Sequence, residues 1–253
     1  MTRPSLRTHL PYLIATLAIY PAAVAAMIWL SGTHRAAGIV VLLCQPVVAA
    51  VIVPFFASAS DGGKPIHSMA AALVKALGVI AAGLAIVAGA SFIAGAAPVG
   101  LWLLKAGAIL AGFVLLLAGL QACVMRLGLS GPGAQFAVYL VAALMLGTVF
   151  YANPAIALAR GSAKLGAVKA AVSANPLVCT AGSALGYDIL LSRTSDLSFY
   201  NSSLIGPDHL YRYPRWWAVS IVYGVIGIAL GAVGPRRPHA FPANGSRNQE
   251  VSR

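Results

Sequence analysis

The chain has 253 residues, of which 60% are hydrophobic and only 9% charged, with a mean hydropathy of +0.86. Soluble domains carry about a quarter charged residues, so this composition excludes water as the solvent around most of the chain. Seventeen Lys and Arg against five Asp and Glu give a net charge of +12, but the basic residues lie between and at the ends of apolar runs, without an aromatic-interleaved basic stripe. That pattern speaks against a nucleic-acid partner and for a bilayer with anionic headgroups.

A hydrocarbon core of roughly 30 Å needs about 20 apolar residues in a helix, and six runs approach or exceed that length: residues 10–30, 36–57, 70–93, 99–125, 134–151 and 216–233. The first follows Arg3 and Arg7 and could pass for a secretory signal ending at Ala23-Val24-Ala25. Its apolar stretch exceeds the usual 7–15-residue signal core, so it is expected to stay as the first span; cleavage would leave five. Pro11 and Pro21 are candidate kinks within it.

In the second run, Gln45-Pro46 sets a polar amide beside a missing backbone donor, which reads as a kinked packing helix. Residues 58–67, with Asp61, Gly62, Gly63, Lys64 and Pro65, form a polar turn. The third and fourth runs share a very short Gly/Ala/Pro link and are expected to form an antiparallel hairpin. Gly83, Gly89, Gly107, Gly112 and Gly119 are expected where backbones approach, and Lys75 and Lys105 are placed to snorkel toward helix ends.

After the fifth run the chain becomes less apolar, from residue 152 to 215. Here Ala152-Asn153-Pro154 and Ala174-Asn175-Pro176 each precede a short apolar stretch. Asn as N-cap and Pro at the first helical position suit a helix start, because Asn accepts from exposed amides and Pro has no amide to orphan. Two helices too short to span are therefore expected, either interfacial or re-entrant; Leu165, Val168 and Val172 share helical spacing, with Lys164 and Lys169 off that stripe. The sixth run opens on Tyr211, Tyr213, Trp216 and Trp217 and closes before Arg236 and Arg237, which read as membrane-interface anchors at its two ends. Residues 235–253, rich in Pro, Asn, Ser and Arg, are expected to be a disordered cytoplasmic tail.

The fold class expected is thus all-α: a polytopic membrane helix bundle over residues 1–234, with about six transmembrane helices. Placing both termini in the cytoplasm puts Arg3, Arg7, Lys64, Arg126, Arg236 and Arg237 inside and leaves Arg35 as the main basic residue of the short outer loops, as the charge rule asks. The 152–215 segment then lies outside with six basic residues. The expected location is a plasma (inner) membrane.

Chemistry-bearing residues are sparse. Asp188, Asp196 and Asp208 all fall in the external segment, with Tyr187, Arg193, Tyr200, His209, Arg212 and Arg215. Asp188, Arg193, Asp208, His209 and Arg212 are candidate substrate or partner contacts, although surface ion pairs explain them as simply. Asp208 beside His209 has no third ligand at a metal-site spacing, so no metal, cofactor or catalytic residue is assigned. Cys44, Cys123 and Cys179 are isolated and read as small core residues. Gly231-Ala-Val-Gly234 and Gly128-Leu-Ser-Gly131 lack the Lys and Ser/Thr of a phosphate loop. Asn201-Ser202-Ser203 and Asn244-Gly245-Ser246 match the glycosylation triplet by form alone.

In plan, with both termini inside, six spans, a polar turn after the second and two short helices outside between the fifth and sixth, residues 10–233 resemble the membrane subunit of ABC-2-type exporters. The resemblance implies a permease subunit without its own ATPase, paired as a homodimer around a substrate path. It also implies a separate ATP-binding subunit docked after the second span, where residues 58–67 lie here. Two other classes stay open: a non-catalytic membrane assembly or scaffold protein, and a membrane-embedded enzyme acting on lipid-linked substrate. The enzyme would need at least three of the external charged residues around one pocket.

Overall fold

The structure, a computed structural model, describes residues 45–54, 74, 78, 81, 85, 100–186, 190 and 212–233. Its ordered elements among these residues are all helical. They are α1 (Gln45–Pro54), α2 (Gly100–Arg126), α3 (Gly131–Leu146), α4 (Thr148–Tyr151), α5 (Asn153–Leu158), α6 (Gly161–Ala174), α7 (Pro176–Cys179), which runs on into a π-turn at Thr180–Ala184, and α8 (Trp216–Val233). The expected first span, the 58–67 turn and the 235–253 tail lie outside the described residues, as does most of the third span.

Among the described residues, one helix, Leu101–Arg126, is long and apolar enough by itself to cross a membrane. The pair Gly131–Leu146 and Thr148–Leu158 meets the same test together, but bent by 65°. This corrects the expectation of an unbroken fifth span over 134–151. The helix starts three residues earlier, at Gly131, where Ser130 Oγ accepts from the Gly133 amide (3.4 Å) and Pro132 occupies the first turn. It breaks at Gly147, where the Tyr151 ring covers the space a side chain would fill. Four residues between α2 and α3, with Gly128 at φ +99°, make a tight reversal that sets these helices antiparallel.

Along its length α2 packs on α8, a pairing that nothing in the sequence order announces. Ser220 Oγ donates to the carbonyl of Ala108 (2.6 Å), Gly112 lies against the Ser220 backbone and Gly119 against the Gly227 carbonyl, while Gly227 in turn meets the Leu115 carbonyl. Each step forward along α2 is matched by a step forward along α8, so the two run parallel. Phe113 and Tyr223 meet across the same seam with ring centroids 6.1 Å apart. Small residues allow this approach. Of the glycines expected at close contacts, Gly112 and Gly119 are so placed; Gly107 is not, since a Cβ there would meet nothing within 4 Å. Gly83 and Gly89 lie outside the described residues.

With α2 and α3 antiparallel and α2 and α8 parallel, the chain from the end of α3 to the start of α8 must leave and return at the same end of the bundle. Two contacts show how it does so. The Tyr223 hydroxyl donates to the Ser173 carbonyl (2.9 Å) at the end of α6, and Gly182 of the π-turn lies under the Tyr213 ring just ahead of α8. Tyr223 is seven residues past Trp216, or about 10 Å along the helix. Hence α6 ends at the level of Tyr223, the chain reverses at Asn175, and α7 with the π-turn climbs back toward the start of α8.

Residues forming the core are Ile109, Phe113, Val114 and Leu117 of α2, Val138 and Ala142 of α3, Val149, Ile156, Val168 and Val172, and Val178 and Cys179 of the ascending arm. On α6 the residues buried within the protein are Val168, Ala171 and Val172, whereas Leu165, at the same helical spacing, is 59% exposed. Replacing Val172 with Ala is expected to cost about 1–2 kcal/mol and Leu165 with Ala well under about 1 kcal/mol, read as the difference in denaturation midpoint of the purified protein. The interior is apolar apart from a few amide and hydroxyl side chains, and the outside carries large apolar side chains as well. Phe136, Leu140, Leu144, Ile221, Val222 and Val225 are exposed, while Gln45, Gln121, Asn175 and Thr180 are buried.

Candidate functional site

Three polar features lie in or beside this apolar frame. At the α1 end, the carbonyl of Pro54 accepts from the Gln121 side-chain amide (2.9 Å) and from that of Gln135 (3.4 Å), and the Val51 carbonyl accepts from the Tyr139 hydroxyl (3.2 Å). One donor from α2 and two from α3 therefore hold α1 in place. The Gln121 carbonyl oxygen is fully buried and meets no donor. Neither Gln121 nor Gln135 stands out in the sequence, where each is a single amide between apolar residues.

Asn175 holds the second. Its side-chain oxygen accepts from the amides of Leu177 and Val178 (both 3.0 Å), and its side-chain nitrogen donates to the carbonyl of Leu146 (2.6 Å). Leu146 ends α3, so this one side chain both starts α7 and satisfies a carbonyl released by the break in α3. Thr148 repeats the device: its hydroxyl lies 2.9 Å from the Met145 carbonyl and 3.0 Å from that of Ala171. The broken helix and the hairpin tip are thus stitched together at one level. Of the two Asn-Pro starts, Asn175 behaves as expected. Asn153 does not: Ala152 occupies the cap position of α5 without a side-chain bond, and Asn153 is already inside the helix.

Cys179 sits in the returning arm, fully buried, with Sγ 3.2 Å from the Val172 carbonyl. A variant retaining only this cysteine is expected to resist maleimide in mild detergent and to label fully once unfolded. Ready labelling of the folded form would show the hairpin to be open.

The third feature is a cleft of about 440 Å³ where the π-turn meets the approach to α8. It is lined by Gly182, Ser183, Tyr213, Pro214, Arg215, Trp216 and Trp217. Gly182 admits the Tyr213 ring, which a Cβ would strike. The Arg215 guanidinium lies 5.9 Å from the centre of the Trp217 ring, within cation–π range. Both residues are exposed, as is Arg212, while Tyr213 and Trp216 are half-buried.

Of the candidate contact residues, Arg212 is therefore at the cleft's approach. Asp188, Arg193, Asp208 and His209 lie outside the described residues, as do the expected anchors Tyr211, Arg236 and Arg237. Tyr213, Trp216 and Trp217 line the cleft together. Among the described residues no three His, Cys, Asp or Glu side chains gather to hold a metal. Arg215 belongs to the chemistry-bearing group named from the sequence, but Gly182 and Ser183 opposite it are not legible there, because the two stretches of chain come together only through the hairpin's return. Against known protein families, curated proteins and solved structures, the chain finds no match.

Proposed function

We propose that the chain is a six-span plasma-membrane protein with both termini in the cytoplasm, acting as the permease subunit of a transporter whose ATPase is a separate chain. The observation that carries the reading is the break at Gly147 joined to the tip of the α6–α7 hairpin by Asn175 and Thr148. Backbone that leaves regular helix within a bilayer is tolerated where it is buried in protein or lines a cavity. Broken helices of this kind are how many transporters build a path near mid-membrane. The many large apolar side chains left exposed on α3 and α8 support lipid as the solvent. The parallel run of α2 and α8 fits their place as fourth and sixth spans, with residues 152–215 beginning and ending on the outer side. On this reading the cargo passes beside the bend and the hairpin moves with it.

Isolation of the full chain from its own membranes in mild detergent tests the proposal. The expected result is a dimer accompanied by an ATP-binding cassette subunit, with ATP hydrolysis in the fraction. A monomer free of any nucleotide-hydrolysing partner would overturn it.

A further inference from the structure

Arg215 is an exposed cation whose guanidinium lies over the Trp217 ring at the rim of a cleft. Arg212 adds a second exposed positive charge three residues away. Below the cleft, Trp217, Ile221, Val225 and Ile228 follow one another at spacings of four, four and three residues. Each of them is 45–59% exposed. They form one apolar stripe that begins at the cleft and runs down α8. A ligand that fits the whole feature has an anionic head and a long apolar tail.

We propose that the cleft binds the phosphate of an anionic glycerophospholipid, with the acyl chains lying along the Trp217–Ile228 stripe. This assignment rests on the membrane reading given above but not on transport. The guanidinium offers paired N–H donors to phosphate oxygens. The Trp217 ring favours the guanidinium's position over it, which lowers the side-chain freedom lost on binding. Tyr213 and Trp216 supply the amphipathic rings that settle at headgroup level. A free phosphate ion would use the guanidinium and leave the stripe unused, which is why the lipid is the occupant assigned.

Reconstitution of the full chain into vesicles of brominated phosphatidylglycerol or brominated phosphatidylcholine provides the test, with the fluorescence of Trp216 and Trp217 read after Trp29 and Trp102 are replaced by phenylalanine. Quenching by the phosphatidylcholine form establishes that α8 is immersed. Phosphatidylglycerol is expected to compete for the site about fivefold better, the selectivity one guanidinium supplies near a headgroup. Arg215→Gln is expected to bring the two lipids to parity while quenching by phosphatidylcholine persists, and Arg215→Lys to retain part of the preference. Equal quenching by both lipids in the unsubstituted Arg215 protein would overturn the headgroup site and leave the membrane reading standing. Loss of the preference on adding inorganic phosphate at constant ionic strength would overturn the lipid assignment in favour of a free-anion site. Absence of quenching by either lipid would overturn the membrane reading, and this proposal with it.

Discussion

Gly119→Leu is expected to remove the folded protein from the membrane. The position faces the Gly227 carbonyl so closely that even a methyl group would overlap it, and the obstacle is backbone rather than a side chain free to turn away. The α2–α8 seam must therefore spread, and spreading it loosens the Ser220–Ala108 hydrogen bond and the Phe113–Tyr223 contact at the same time. Overpacking a close-fitted interior costs about 1–3 kcal/mol for a small insertion. Gly119→Ala is placed in that range, and leucine beyond it, against a total stability of only about 5–15 kcal/mol. Gly107→Ala is the internal control. It sits on the same helix with open space around it, so it is expected to gain up to about 1 kcal/mol from the lower flexibility of alanine in the unfolded chain. Pairing Gly119→Ala with Gly227→Ala should cost less than the two separately, because a seam opened once accommodates both methyl groups. Abundance in the membrane and the midpoint of thermal aggregation in detergent read all five variants. An unchanged midpoint for Gly119→Leu would mean that α2 and α8 are not packed in this register.

Asn175→Leu is the second large effect. It conserves volume closely but removes three hydrogen bonds from a residue with no solvent exposure, leaving two amides and one carbonyl without their partner. Each buried group left unpaired costs about 1–3 kcal/mol, so a total loss of several kcal/mol is expected, ahead of any loss from repacking. Asn175→Asp separates the two jobs of the side chain. The carboxylate still accepts from Leu177 and Val178 but cannot donate to Leu146, and it buries a charge. It is therefore expected to lie close to the leucine variant rather than to the parent. Asn175→Asp at parental stability would show that the tie to Leu146, and with it the stitch between hairpin and broken helix, is dispensable. The expected pattern in proteolysis is early cutting within residues 152–186 while α2 and α8 stay protected, since the hairpin is the element those bonds secure.

Charge scarcity and the long apolar runs were enough to specify helices, because a backbone removed from water must satisfy its own amides and carbonyls locally. On that basis α2 is legible nearly to the residue, with 99–125 expected and Gly100–Arg126 found, and α8 begins at Trp216 as the aromatic cluster indicates. Asn175 was also readable, since an Asn-Pro pair has one obvious use at a helix start. The same rule misjudged Asn153, because there the preceding helix supplies the cap position and the chain simply bends.

Lipid-compatible composition, helical class and the start of the returning arm are therefore properties of the sequence alone, each fixed by requirements within a few turns of chain. The break at Gly147, the parallel seam of α2 and α8, and the cleft between Ser183 and Arg215 belong to the tertiary structure. Each depends on groups far apart in the chain. At the break, Asn175 donates to the carbonyl released at Leu146 and the Thr148 hydroxyl reaches the Ala171 carbonyl across the hairpin, and a small-residue stripe becomes a seam only when a second stripe, more than a hundred residues later, meets it in register.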